Sequence, residues 1–177
     1  MYPQKWMGYN DGYDDFYNNK IAFLDATKFE TDKFTLRLWK GNYAIFGGLG
    51  AEIGLYNTNG DCMTRKELKD LGLKSTTLLI VNKKDNKIVN QYTEKSPSFW
   101  TTMFHAGPIW YTRDTVYTIN IFEFETVEQA TEFARQLTLV QDKLNNAEGY
   151  KYNRNEVIDI KQSGNIVTIT WGKPEDQ

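Results

Sequence analysis

Residues 33–40, KFTLRLWK, alternate strictly, with Phe34, Leu36 and Leu38 on one side and Thr35, Arg37 and Trp39 on the other. A period of two reads as a strand with one buried face, and no other feature of the chain restricts its fold as much. The pattern recurs. NYAIFGG (42–48) and AEIGLYN (51–57) continue as strands joined by GGLG, a turn that needs positive φ. TTLLIVN and KIVNQYTE flank KKDN around residues 76–94, TVYTINIFEF (115–124) is a further strand, and EVIDIKQ and NIVTITW close the chain around the turn SGN. About eight strands joined mainly by hairpins predict largely antiparallel sheet.

Two helices interrupt the strands. CMTRKELKDLG (62–72) carries a capping box, Thr64 with Glu67, a staple pair, Met63 with Leu68, and a closing Gly72, which place a short helix over about 64–71. TVEQATEFARQLTLVQDKLNN places a long helix over about 126–145. It starts at a Thr126/Gln129 cap, and Val127, Ala130, Phe133, Ala134, Leu137, Val140 and Leu144 recur on one stripe. The fold class is α+β, with that helix packed on a face of a largely antiparallel, twisted sheet.

The chain of 177 residues reads as a single domain, 1–177, able to bury a core without disulfides. Residues 1–30 lack a period but carry Trp6, Tyr9, Tyr13, Phe16, Tyr17 and Phe23, and read as an aromatic-rich arm docked on it. KSPSFWTTMFHAGPIWYTRD (95–114) has no dependable period and reads as a long loop that is functional or docked over the core.

Lys plus Arg number 21 against 23 Asp plus Glu, a net charge of −2, which argues against nucleic acid as a partner. A single cysteine, Cys62, excludes an internal disulfide and a cysteine-rich zinc site, and reads as a packed thiol. The acidic DGYDD (11–15) lacks the spacing of a calcium loop, so no metal and no cofactor is expected. Nothing approaches the apolar run a membrane span needs, and the first residues do not read as a signal peptide.

The stretch WKGNYAIFGGLGAEIGLY (39–56) holds five of the thirteen glycines around one carboxylate, Glu52. It runs into a strand instead of opening a helix, which argues against a phosphate loop. The alternation sends Glu52 away from Ala51, Ile53 and Leu55, beside Gly54, whose missing side chain would leave room for a groove. Structurally, Glu52 would pair across strands with Arg37 or Lys40. Functionally, it would be a ligand contact, or a general acid/base assisted by His105, the only histidine, or by Tyr56. Trp39, Lys40, Tyr43, Trp100 and Trp110 would line the groove, since aromatics make up 15% of the chain and stacking rings suit a sugar, peptide or protein surface.

LWKGNY (38–43), GAEIGLY (50–56), FW (99–100) with a downstream GP, then strand, helix and final hairpin in that order resemble the bacterial family catalogued as domain of unknown function 4474. The lead-in GYNDGYDDFY (8–17) is also similar, so the likeness covers nearly the whole chain. TTMFHAGP (101–108) departs from the family, which has a shorter TGF-PG-like element there, so the family pattern does not extend to His105. The resemblance implies a mostly Gram-positive, clostridial-type source and no established activity.

Two functional expectations follow. One is a binding module of an exported or cell-surface bacterial protein, taking a small molecule, glycan or protein around Glu52. The alternative is a hydrolase-type effector or toxin domain that uses Glu52 as general acid/base, with an immunity protein or its own parent protein as partner.

Overall fold

The computed structural model describes residues 26–43, 48–102, 104–105, 115–146 and 156–174. Two antiparallel sheets and a long helix make an α+β fold. The four-stranded sheet has the order β1 (Ala26–Glu30), β2 (Thr35–Tyr43), β3 (Gly48–Tyr56), β6 (Phe104–His105). The five-stranded sheet has the order β5 (Ile88–Glu94), β4 (Leu73–Asn82), β7 (Val116–Phe124), β9 (Ile166–Pro174), β8 (Glu156–Ser163). The helices are α1 (Arg65–Asp70), α2 (Phe99–Thr102) and α3 (Val127–Asn146).

Both expected helix starts are present. Thr64 accepts from the Glu67 amide while Glu67 accepts from the Thr64 amide at 3.0 Å, and the staple residues Met63 and Leu68 are buried. Thr126 and Gln129 exchange the same pair of bonds, each 3.1 Å long. Along α3, Ala130, Phe133, Leu137, Val140 and Leu144 are buried and Ala134 packs against them. Val127 departs from the expected stripe: it is 50% exposed, because the first turn lies outside the packed face.

The core forms where α3 meets both sheets. Phe133 contacts Phe34 at 5.4 Å, Phe122 at 5.4 Å and Phe124 at 5.0 Å between ring centroids. Phe29, Leu36 and Leu55 from the smaller sheet join the same cluster as Val167, Ile169 and Trp171 from the larger. Buried Gln136 adds a polar tie, accepting from the Asp32 amide at 3.2 Å and donating to Glu132 at 2.9 Å. Arg135, and next Gln136, hydrogen-bond the Glu132 carboxylate and lower its pKa to about 2.

Helix α3 also ties to the β8 edge of the larger sheet at one residue. Asn145 accepts from the Ile158 amide at 2.7 Å and donates to the Ile158 carbonyl at 3.2 Å.

Three strand expectations change. TLRLWK of the first pattern and the following GNY form one strand, β2, with Phe34 just before it, and GLG lies inside β3, where Gly50 pairs with Gly41 and Gly48 with Tyr43. The glycines read as a turn are therefore mostly ladder positions, and residues 44–47 lie outside the described residues. Residues 26–30, read as the end of the arm, are the edge strand β1; residues 1–25 lie outside the described residues. The expected loop 95–114 contains α2 and β6, elements too short to show a period.

Candidate functional site

Ladder registers define the face that carries Glu52. β2 and β3 pair Trp39 with Glu52, and β3 and β6 pair Glu52 with His105. Residues directly opposite in an antiparallel ladder share a face, with Cα atoms about 4.5–5.5 Å apart. Ala26 stands opposite Trp39. One row therefore crosses all four strands as Ala26, Trp39, Glu52, His105, and it puts the chain's only histidine opposite Glu52 in the ladder.

Steps of two residues stay on that face. On one side of the row lie Lys28, Arg37 and Gly54, then Glu30, Thr35 and Tyr56. On the other lie Gly41 with Gly50, then Tyr43 with Gly48. Arg37 is thus diagonal to Glu52. Lys40 stands opposite Ala51, one ladder position from Trp39 and Glu52.

The room expected over Gly54 is filled. A Cβ there would come within 2.9 Å of Phe99 Cζ and 3.1 Å of Tyr56 Cε1. Phe99 is carried by α2, a single turn held by Ser98, whose carbonyl accepts from the Thr101 amide at 3.1 Å and whose amide donates to the Thr101 hydroxyl at 2.9 Å. Tyr56 meets Phe99 edge-on at 5.1 Å and is fully buried. It lies two rows from Glu52, about 13 Å along the strand. Its place in the fold is packing, and the assistance to Glu52 expected of it has no geometric support.

The face is therefore closed by Phe99 at one end. At the other end the ladder continues onto three glycine positions, Gly41, Gly48 and Gly50. Tyr43 lies at that end. Trp100 follows Phe99 in α2, and Trp110 lies outside the described residues. β6 lies against β7 and β9, so the His105 end of the row meets the larger sheet. Cys62 is half-buried and bridges the Tyr56 backbone, off the row.

The sequence pattern alone showed that Glu52 points away from the apolar face. It did not reveal His105 beside it, because β6 is two residues long, nor Lys28 opposite Arg37, which only a register can establish. Among the described residues no three His, Cys, Asp or Glu side chains gather as a metal site, and no helix is long and apolar enough to cross a membrane.

Compared with family models, curated proteins and solved structures, the chain matches none. The likeness to the domain of unknown function 4474 rests on the quoted motifs alone.

Proposed function

We propose that the chain is a ligand- or partner-binding module whose recognition face is the row Trp39, Glu52, His105 and the glycine positions beside it. On the family likeness, it would belong to an exported or surface-associated bacterial protein. The observation that carries this reading is the register, which supports an aromatic, a carboxylate and an imidazole as neighbours on one face. Rings offer stacking area, and a carboxylate fixes the orientation of hydroxyl or amide groups. Gly41, Gly48 and Gly50 let a ligand lie close to the backbone beside them.

The test is a titration with a panel of oligosaccharides and short peptides, followed by backbone amide NMR shifts. Ligands that bind are expected to move Gly41, Gly48, Gly50 and Glu52 together. Glu52→Gln should weaken them at least about tenfold, the value of a hydrogen bond to a charged group. Binders that leave these amides unmoved, or that bind Glu52→Gln equally well, would overturn the reading.

A second reading, the hydrolase-type effector, is favoured by the direct Glu52–His105 pairing, since a carboxylate and an imidazole side by side suit general acid/base work. Under it, expression in a bacterial cytoplasm or periplasm is toxic and Glu52→Gln removes the toxicity. Toxicity that survives the substitution sinks it.

A further inference from the structure

We propose that the free edge of β5 fits β5 of a second copy of the chain, and that Asn90 holds this edge closed. The inference is independent of the recognition face, because β5 belongs to the larger sheet.

β5 ends the strand order of that sheet, and it carries Ile88, Val89 and Tyr92, each about half exposed. An edge strand presents its outer amides and carbonyls to any extended chain that meets it. Which groups point outward follows from the adjoining turn. Asn82 donates its amide to the Lys87 carbonyl at 2.8 Å and accepts from the Asn86 amide at 2.8 Å, so its backbone faces β5. Backbone direction alternates along a strand, so Ile80, Leu78 and Thr76 face β5 too, and their ladder partners Asn90, Tyr92 and Glu94 face back at them. The backbones of Gln91 and Thr93 therefore point away from the sheet.

An incoming strand needs those two residues, and one of them is already engaged. The Asn90 side-chain oxygen accepts from the Gln91 amide at 2.9 Å, and the Asn90 side-chain nitrogen donates to the Tyr92 hydroxyl at 2.8 Å. Asn90 thus occupies the outward donor of Gln91 and is anchored two residues along the strand. The register slips between Ile80 and Val81, whose partners are Asn90 and Ile88, so Val89 is the extra residue of a bulge. The regular stretch of the edge is therefore Asn90 to Glu94.

That stretch is complementary to itself. Two antiparallel copies related by a two-fold axis at Tyr92 set Gln91 opposite Thr93, both facing outward, Asn90 opposite Glu94, and the two tyrosines opposite each other. No like charges then stand opposite one another. An axis at Gln91 would set Lys87 opposite Lys95, which disfavours it.

The experiment is sedimentation velocity over a range of protein concentrations. Asn90→Ala removes the cap and is expected to self-associate at least about tenfold more tightly than the wild type, since one outward bond is freed in each of two copies. Adding Thr93→Pro removes an outward amide without touching the ladder to β4, and should return the protein to the wild-type behaviour. Equal behaviour of the wild type and Asn90→Ala overturns the proposal, and so does association that survives Thr93→Pro. Amide hydrogen exchange in the wild type reads the cap directly. Relative to its intrinsic rate, the Gln91 amide should exchange more slowly than that of Thr93, and equal protection of the two overturns the role of Asn90.

Discussion

Phe133→Ala is expected to cost about 3–5 kcal/mol, the range for deleting a fully buried aromatic ring and leaving a cavity. The ring is 4% exposed and touches Phe34 from the segment before β2 and Phe122 and Phe124 from β7. Those contacts bind α3 to both sheets at once, so neighbouring side chains cannot collapse into the space without separating elements. Aromatic pairs of this kind add about 0.5–1.5 kcal/mol beyond the area they bury. Guanidinium unfolding measures the loss, and Val127→Ala provides the comparison. Val127 lies on the same helix but is 50% exposed, so its truncation should shift stability by about 0.5 kcal/mol or less. Equal effects at the two positions would show that α3 does not pack through the stripe described.

Gly72→Ala carries the second large effect, about 2–3 kcal/mol, from two separable sources. Gly72 has φ +91°, a backbone that a Cβ disfavours, and its carbonyl accepts from the Glu125 amide at 2.8 Å. A Cβ there would also lie 2.1 Å from the Gln129 side-chain oxygen. That oxygen accepts from the Thr126 amide and caps α3. The glutamine must move, so one helix loses its cap through a change at the end of another. In a Gln129→Ala background the cost should fall by about 1 kcal/mol, the value of a cap. Gly164→Ala separates the sources further, since Gly164 has φ +59° but nothing within 4 Å, and should show the backbone cost alone. If Gly72→Ala costs no more than Gly164→Ala, the link between Gly72 and the α3 cap is absent.

These positions show what could be read before any coordinates. Both capping boxes, the Ala130 to Leu144 stripe and the hairpins around Asn86 and Gly164 were legible, because each is a local signal with a local cause: a side chain that satisfies an amide, a helical period, or a positive φ. The misreadings share one physical reason. Glycines in WKGNYAIFGGLGAEIGLY look like a turn when read along the chain, yet Gly41 and Gly50 face each other across a ladder. β6 is too short for any period, and Phe99 reaches Gly54 from a separate element. What the candidate site needed was register, a non-local quantity.

The chain's single histidine permits the most direct test of the row itself. Residues directly opposite in an antiparallel ladder bring their backbone protons close enough for nuclear Overhauser contacts. The account predicts such contacts between Glu52 and His105 and between Trp39 and Glu52 in the assigned spectrum. Their absence would contradict the pairing of Glu52 with His105, and with it the proposed recognition face.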